Sequence, residues 1–247
     1  MASIDPDLLL RAYAIGVFPM SDSRDAADVF WVEPRRRAII PIDGFLLSRS
    51  LRKTLRSGEF EVTRDRAFGD VIRRCSERDE TWINGEIERS FTELHRLGHA
   101  HSVEAWHGGE LVGGLYGVRL GGAFFGESMF SLRTDASKVA LAWLVARLKV
   151  GGFRLLDCQF MTEHLRSLGA IEIPQTDYLA LLADALSSPS SSAETAGLAA
   201  LVAGVDFARG EDAEFGALDR LLAAPSGAVA SAAAPGCVIS QLLVQTS

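Results

Sequence analysis

Two short polar clusters carry the side chains best suited to chemistry. One is Glu127-Ser128 and the other is Asp157-Cys158-Gln159. Carboxylates accept hydrogen bonds and pair with cations, whereas the carbonyl oxygen of glutamine accepts hydrogen bonds but is a poor base. Asp157 and Gln159 are two residues apart, so on a strand both point to one face, where they could align a reacting N–H group. Cys158 then points to the other face and is interpreted as a core residue rather than a nucleophile.

A strand, a helix and a second strand are predicted to position the two clusters. Thr134 or Asp135 can cap the helix, its apolar residues recur at helical spacing, and Gly151-Gly152 ends it. Residues 154–158 then form a short buried strand, so each cluster is expected at the end of a strand. Because a strand–helix–strand unit usually makes its two strands parallel, both clusters are expected to face one crevice.

Each cluster also has a purely structural explanation. From the residues alone, Asp157 could cap or bridge the turn that follows it. Glu127 could form a hydrogen bond near Ser128 or Ser131. The residue types by themselves do not choose between these explanations and a catalytic one.

Composition limits the class of protein. The chain has 247 residues, a formal net charge of −7 and 48% hydrophobic residues, enough for one large domain or two small ones. No run of about 18 apolar residues predicts a membrane span, and the first residues lack the regions of a signal peptide. The three cysteines and the histidines show no metal-binding spacing, so no metal is predicted. A reduced, cytoplasmic protein is expected, and an RNA partner would need a local basic patch.

A basic helix provides such a patch. Ser48 can cap a helix in which four cations share one stripe, at the spacing i, i+3, i+4 and i+7. The stripe consists of Arg49, Arg52, Lys53 and Arg56. A solvated helix face is the usual fate of such charges, and contact with the phosphates of a nucleic acid is the functional alternative. Arg35, Arg36 and Arg37 could add to the patch.

The order of elements predicts an α+β fold in three parts. Residues 1–36 form a small N-terminal region, and residues 37–186 form a domain with three antiparallel strands ahead of the strand–helix–strand unit. This order resembles the acetyltransferase-like fold, a mixed sheet flanked by helices. The tail at residues 187–247 is rich in Ala, Ser and Gly, and is expected to be largely mobile, with one or two short strands or helices possible. A chain that ends after Leu186 is expected to keep the fold and most activity.

Several rare peptides follow one another along the chain. They are GESMFS at 126–131, DASK at 135–138, DCQ at 157–159 and HLRSLGA at 164–170, with TWI at 81–83, GHAHSVE at 98–104 and LVGGLYG at 111–117. Over residues 7–182 the sequence resembles the leucyl/phenylalanyl-tRNA–protein transferases. The resemblance implies an acetyltransferase-like enzyme that moves leucine, phenylalanine and, weakly, methionine from aminoacyl-tRNA to the N-terminal arginine or lysine of proteins. It also implies N-end-rule degradation of those proteins, and a cytoplasmic monomer without cofactor or membrane contact.

The resemblance assigns roles to the polar clusters. It implies that Asp157 orients Gln159, and that the Gln159 carbonyl oxygen receives the attacking α-amine of the acceptor. Glu127 is implied to meet the basic side chain of the acceptor, since a partly desolvated carboxylate–guanidinium pair gives both energy and planar specificity. Aminolysis of an aminoacyl ester needs a well-placed neutral amine more than it needs an activated ester.

The resemblance also implies contacts for the tRNA and its amino acid. Tyr13 and Trp82 match positions that pack against the terminal adenosine, while Met20 stands where the family usually has an aromatic residue. The family also usually has a longer N-terminal lead-in. The basic stripe is implied to contact tRNA phosphates. The pocket for the transferred side chain is implied to comprise Leu115, Phe124, Met129, Leu141 and Leu144, each of which could equally be a core residue.

Two other functions fit parts of the sequence. An acyl-CoA-dependent N-acetyltransferase would share the fold, but residues 130–135, ahead of the helix, contain no glycine for a pyrophosphate-binding loop. A non-catalytic RNA-binding module would explain the basic stripe and Trp82. Such a module would not need Asp157, Gln159 and Glu127 together, so amino-acid transfer from charged tRNA distinguishes the three functions.

Overall fold

The computed structural model describes residues 3–78, 80–187, 213–223 and 234–244. Within these ranges the strands are β1 (Phe18–Met20), β2 (Phe30–Val32), β3 (Arg36–Ile39), β4 (Glu61–Arg64), β5 (Ala100–His107), β6 (Glu110–Leu120), β7 (Ala123–Ser131), β8 (Leu155–Gln159) and β9 (Ile171–Pro174). The helices are α1 (Pro6–Ala14), α2 (Arg49–Ser57), α3 (Phe68–Ser76), α4 (Gly85–Arg96), α5 (Ala136–Val150), α6 (Glu163–Ser167), α7 (Gln175–Leu186), α8 (Ala217–Ala223) and α9 (Pro235–Leu242). None of these helices has the length and apolar character that a bilayer crossing requires.

The central feature is one mixed sheet with the strand order β4-β5-β6-β7-β8-β3-β9. Its neighbouring strands are antiparallel except β7 and β8, which run parallel and are connected through α5. The predicted α+β class, with helices flanking a mixed sheet, is therefore confirmed, and so is the parallel strand–helix–strand unit. The finer likeness to the acetyltransferase-like fold stays a prediction.

Helices cover both faces of the sheet. On one face lies α5, which is apolar on nearly every side and buried over most of its length. Its apolar residues form a cluster with those of β5, β6, β7 and α2, called here the α5-side core. On the other face α1, α3, α4 and α7 form the α1-side core. Polar side chains that lie between these layers must find partners inside the protein.

Local signals set the starts of the helices that frame the site. The Asp5 carboxylate accepts a hydrogen bond from the first turn of α1, and the Ser48 hydroxyl does the same for α2. Asp135 precedes α5 with a left-handed φ of 65° but does not cap it. Its carboxylate instead pairs with Lys138 at 2.9 Å. The Ser131 hydroxyl, rather than Thr134 or Asp135, accepts a hydrogen bond from the first turn of α5, from the Ser137 N–H at 3.3 Å.

A β-bulge places Glu127 inside β7. In the ladder between β6 and β7, Gly117 faces Gly126 and Tyr116 faces Ser128, so Glu127 is the extra residue. Gly117 has to be a glycine, because a Cβ there would lie 2.2 Å from a main-chain carbonyl oxygen of β7. The sequence pattern predicts that Glu127 lies at the end of its strand, and this prediction is wrong, because β7 continues to Ser131. The direction of the Glu127 side chain is set by the bulge.

A second irregularity lies on β8. Ala38 of β3 faces Gln159, whereas the next residue, Ile39, faces Asp157, so Cys158 is the extra residue. Cys158 packs against the α5-side core, which confirms its interpretation as a core residue. Gln159 has a left-handed φ of 62°, which is unusual for a residue with a side chain.

The parallel pair β7 and β8 is joined only briefly. Their pairing runs from Ala123 opposite Leu155 to Phe125 opposite Asp157, and both strands continue beyond it. Past this point the strands are no longer hydrogen-bonded to each other, and the space between their carboxyl ends is called here the crevice. Glu127 and Gln159, which border this space, are both buried. It lies at the edge of the sheet at which the sequence predicts a ligand-binding crevice.

The N-terminal part packs directly on the sheet. α1 contributes Leu9 and Leu10 to the α1-side core, while β1 and β2 form a small antiparallel ladder of their own. β3 begins at Arg36 and belongs to the central sheet. The proposed division of the chain at residue 36 stays a prediction.

Two pieces of the C-terminal tail are described. α8 packs against α5, and α9 packs against α2. Phe215, Leu218 and Ile239 belong to the α5-side core. Gly236 approaches α2 so closely that a Cβ would lie 1.8 Å from the Leu55 carbonyl oxygen. The expected mobility of the rest of the tail concerns residues outside the described ranges. The sequence allows one or two short elements in the tail, and its apolar end at 237–244 overlaps α9, whereas α8 has no such signal in the composition.

Candidate active site

Glu127 and Gln159 meet across the crevice between β7 and β8. The Gln159 Nε2 donates to Glu127 Oε1 at 2.9 Å, and the Tyr13 hydroxyl donates to the same oxygen at 2.7 Å. An ionised carboxylate only accepts hydrogen bonds, so the amide turns its NH2 group to Glu127 and its carbonyl oxygen away. No donor to that carbonyl oxygen occurs among the described residues. The oxygen can therefore align an incoming N–H group.

Asp157 is buried and its carboxylate is fully engaged. The Arg37 Nε donates to the two carboxylate oxygens at 2.9 and 3.1 Å, and Nη2 donates to Oδ2 at 2.5 Å. The Tyr178 hydroxyl donates to Oδ2 at 3.0 Å, and the main-chain N–H of Gln159 donates to Oδ1 at 2.8 Å. Asp157 therefore holds the backbone of Gln159 and does not contact its side-chain amide.

Arg37 completes this arrangement. Its guanidinium group lies between the rings of Phe18 and Tyr178, 4.6 and 4.5 Å from their centroids, and its side chain is 1% exposed. The prediction that Arg37 could add to the basic patch is wrong, because Arg37 is buried and its charge is paired with Asp157. A buried carboxylate requires such a cation. The preceding Arg36 is exposed and pairs with an acidic residue of β9. A buried acid on a central strand is the signal that could have identified Arg37.

Glu127 differs from Asp157 in its electrostatics. Burial raises the pKa of Glu127 to about 7, against the hydrogen bonds from Tyr13 and Gln159, which lower it. Its Oε2 is buried and has no hydrogen-bond partner within the described structure. Near neutral pH the Glu127 carboxyl is therefore partly protonated, and Oε2 is the oxygen that can receive a proton or a cation.

The residues implied for adenosine contact fall into two groups. Trp82 and Met20 are both half-buried, and the main-chain N–H of Ser21 donates to the Trp82 carbonyl oxygen at 3.1 Å, so the two segments are neighbours. Tyr13 is 0% exposed and its ring lies 4.8 Å from that of Phe125. Its ring offers no open face to a base in this structure, and its hydroxyl is committed to Glu127.

All five residues implied for the side-chain pocket lie together in the α5-side core. Leu115, Phe124, Leu141 and Leu144 are at most 3% exposed. Met129 is half-buried and follows Glu127 on β7 by two residues, so it lies nearest the crevice. The structure brings the five residues into one apolar cluster, and their role as a pocket stays a prediction.

The basic stripe is present on α2. Arg49, Lys53 and Arg56 are exposed and Arg52 is half-buried. The Arg56 Nε donates to the Ser240 hydroxyl of α9 at 3.0 Å, so the tail covers one end of the stripe. Nothing acidic in the described ranges forms an ion pair with these four cations. Their charge is thus available to an anionic partner.

Other chemistry has little support from the described residues. Those ranges contain no group of three or more His, Cys, Asp or Glu side chains that could hold a metal ion. Burial raises the pKa of Cys75 to about 12 and also raises that of Cys158, so neither thiol is poised as a nucleophile.

Comparisons with known proteins identify the family of this chain. Residues 39–183 match the profile of a family described as leucyl/phenylalanyl-tRNA protein transferase, and residues 2–35 match that of its N-terminal domain. A leucyl/phenylalanyl-tRNA–protein transferase of Rhizorhabdus wittichii is 61% identical over 251 residues, which cover 100% of both chains. The corresponding protein of Novosphingobium aromaticivorans is 52% identical, with 99% of this chain and 97% of the relative covered. That of Zymomonas mobilis is 61% identical, with 78% of this chain and 73% of the relative covered.

The polar crevice and these similarities define an aminoacyltransferase that uses aminoacyl-tRNA. More specifically, the chain belongs to the leucyl/phenylalanyl-tRNA–protein transferase family. The family membership that the rare peptides indicate is confirmed.

Proposed function

We propose that this enzyme transfers leucine, phenylalanine and, more weakly, methionine from aminoacyl-tRNA to the N-terminal arginine or lysine of acceptor proteins. The transfer would mark those proteins for N-end-rule degradation, and the enzyme would act in the cytoplasm as a monomer. The observation that carries the proposal is the Gln159 amide, which Glu127 holds across the crevice with its carbonyl oxygen unoccupied. An attacking α-amine needs such an acceptor to align one of its N–H groups.

The reaction is the aminolysis of an ester. The neutral α-amine attacks the ester carbonyl carbon, a C–N bond forms, and the C–O bond to the ribose oxygen breaks. The amine proton passes to the departing ribose oxygen, directly or through the neighbouring ribose hydroxyl. Holding the two reactants in position supplies about 7–11 kcal/mol of the barrier. Gln159 contributes alignment and leaves the proton to the ribose.

Glu127 serves the acceptor through both of its oxygens. Oε1 fixes the Gln159 amide, while Oε2, which has no partner within the described residues, is left for a guanidinium or ammonium group. A cation at Oε2 favours the ionised carboxylate, so it would lower the pKa of Glu127 from its value of about 7. A neutral acceptor side chain would leave this buried carboxylate without a counter-charge, which disfavours its binding.

We assign the aminoacyl-tRNA to the other predicted contact residues. We assign the terminal adenosine to Trp82 and Met20, and we assign Tyr13 to the orientation of Glu127. The transferred side chain enters the α5-side core at Met129, the half-buried member of the predicted pocket. The basic stripe on α2 contacts the phosphates of the tRNA body, because its cations have no acidic partner in the described ranges.

The test is a transfer assay with labelled leucyl-tRNA and three matched peptides. One peptide begins with arginine, the second with alanine, and the third with N-acetylated arginine, which has no free amine. Label should enter only the first, and acetyl-CoA should not replace the tRNA as donor. Equal transfer to the alanine peptide would contradict the acceptor assignment, and transfer to none of them would contradict the function.

A further inference from the structure

The tail residues 213–223 lie outside the family match, which ends at residue 183. Their Phe215 is nevertheless 1% exposed and sits among aromatic rings of the main domain. Its ring is stacked on that of Phe124, with centroids 5.3 Å apart and planes 6° apart. On another side it stacks on His101 at 4.3 Å. A surface tail thus supplies a fully buried side chain to the α5-side core.

An ion pair between a buried arginine and a partly exposed aspartate holds this segment in place. Arg147 of α5 is 3% exposed, and its Nη1 donates to the Phe215 carbonyl oxygen at 2.7 Å. The same guanidinium group binds both oxygens of Asp219 at 2.8 and 2.6 Å. Arg64 of β4 adds a second contact to Asp219 at 3.1 Å. Without the tail, the Arg147 cation would be left in the core without its partner.

A close main-chain contact also fixes the segment that carries Phe215. The Glu214 N–H donates to the Gly151 carbonyl oxygen at 2.8 Å. A Cβ on Gly151 would lie 2.4 Å from the Glu214 carbonyl oxygen, so only glycine permits the approach. Side-chain and main-chain contacts therefore fix the position of Phe215 relative to Phe124.

We propose that Phe215 is a specificity-determining residue that sets the depth of the pocket for the transferred side chain. The inference rests on the proposed function, in which Phe124 forms part of that pocket. Phe124 belongs to the same cluster as Leu115, Leu141 and Leu144, and Phe215 stacks on one face of its ring. The tail thereby influences the choice between leucine and phenylalanine without touching either amino acid.

The direction of the effect follows from close packing. Removing the Phe215 ring leaves a space into which the Phe124 ring can relax, which deepens the pocket. A deeper pocket gives leucine fewer contacts and gives phenylalanine more room. Changes of this size in an apolar pocket alter discrimination by about tenfold. Phe215→Ala should therefore lower the leucine-to-phenylalanine ratio of kcat/KM by about that factor.

The test uses the full-length protein with two readouts. One readout is kcat/KM for leucyl-tRNA and for phenylalanyl-tRNA with an arginine-led peptide. The other is the Kd of leucyl- and phenylalanyl-adenosine linked by a stable amide, which reports the pocket without any transfer. Phe215→Leu should give a smaller shift in the ratio than Phe215→Ala. Asp219→Ala, which releases the segment, should shift it in the same direction.

Arg220→Ala is the matched control. Arg220 lies in the same segment, is exposed, and within the described residues forms its ion pair with the exposed Glu214, so its loss should leave the ratio unchanged. If Phe215→Ala lowers thermal stability but leaves both ratios within twofold of wild type, Phe215 is a structural residue and the inference is wrong. If the wild type binds neither adenosine analogue and transfers neither amino acid, the proposed function fails as well.

Discussion

Asp157 and Glu127 are two buried carboxylates on neighbouring strands, yet their surroundings are opposite. Asp157 accepts hydrogen bonds from Arg37, Tyr178 and the Gln159 backbone, which leaves it no capacity for a substrate. Glu127 has both of its donors on one oxygen and none on the other. One carboxylate is a fixed structural anchor, and the other is poised to change partner.

Gln159 forms hydrogen bonds with both carboxylates, and the two bonds hold different parts of this residue. The Asp157 carboxylate fixes the backbone of Gln159, while the Glu127 carboxylate fixes its side chain. The backbone contact belongs to the carboxylate whose acceptor positions are all occupied. In the proposed function, the side-chain contact belongs to the carboxylate that meets the acceptor, so acceptor binding would adjust the Gln159 amide.

The largest expected effect concerns Asp157 and its cation, Arg37. Arg37→Met leaves the Asp157 carboxylate buried without a cation, and such losses cost about 3–5 kcal/mol of stability. Urea denaturation would measure the free energy of unfolding. Arg36→Met is the matched control, since the exposed Arg36–Glu172 pair should contribute about 1 kcal/mol or less. Equal effects of the two substitutions would show that Asp157 does not depend on Arg37.

The next effect concerns the residue that both carboxylates hold. Gln159→Ala removes the acceptor that aligns the attacking amine, so the maximal rate of transfer should fall by about 10²–10⁴-fold. The free energy of unfolding should fall by only about 1–2 kcal/mol, because the hydrogen bond from the Gln159 amide to Glu127 is lost. The control is Gln175→Ala, at a half-buried glutamine whose amide donates to Glu33, and it should keep the wild-type rate. A loss below tenfold for Gln159→Ala would remove Gln159 from the chemical step.

The pKa of Glu127 predicts how stability depends on pH. Because the folded-state pKa is raised from 4.5 to about 7, the protonated carboxyl favours the folded state below pH 4.5, and this contribution is lost as the pH rises through 7. At 1.36 kcal/mol per pKa unit, the loss amounts to about 3 kcal/mol. Glu127→Gln should lack it. Parallel curves of unfolding free energy against pH for the two proteins would show that Glu127 is not desolvated.

A smaller effect is expected on acceptor binding. Glu127→Gln removes the counter-charge for the acceptor but keeps an oxygen that can accept from Gln159. The half-saturating concentration of an arginine-led peptide should therefore rise by about 30-fold, or about 2 kcal/mol, with a smaller change in maximal rate. Varying the peptide at a fixed concentration of charged tRNA separates the two quantities. A fall in maximal rate as large as that of Gln159→Ala, with unchanged half-saturation, would assign Glu127 to the chemical step instead.

The smallest effects come from a matched pair of tyrosines. Tyr178→Phe removes one of several donors to Asp157, so it should cost about 1 kcal/mol of stability and leave pH profiles unchanged. Tyr13→Phe removes a hydrogen bond that lowers the pKa of Glu127. The pH midpoint of acceptor binding should then move upward for Tyr13→Phe alone. A midpoint that moves equally in both variants would mean that the two carboxylates titrate together.

The sequence predicts the elements of this site better than their detailed geometry. The strand–helix–strand unit is predictable because helical spacing, glycine stops and short apolar runs are local properties. The bulge at Glu127 is not, since it depends on the register between β6 and β7 and on the close approach at Gly117. A pattern of alternating residues carries no signal for an inserted one.

Long-range partners were also beyond the sequence. Arg37 and Asp157 are 120 positions apart, and the arginine run at 35–37 looks like a surface patch until the strand order is known. The position of the tail was not predictable either. Its low-complexity composition predicts mobility, whereas the buried position of Phe215 depends on the contacts of Arg147 with Phe215 and Asp219, residues that are distant in the sequence.

The short joint between β7 and β8 has a mechanical consequence. On one side of it stand β4 to β7 with Glu127, and on the other stand β8, β3 and β9 with Gln159. Only three residue pairs join the two halves of the sheet at that line, and the Gln159–Glu127 hydrogen bond is a side-chain link between them beyond these pairs. In the proposed function, an acceptor whose cation draws Glu127 towards itself would weaken that link. Entry of the peptide would then let the two strand ends separate and make room for the ester that it attacks.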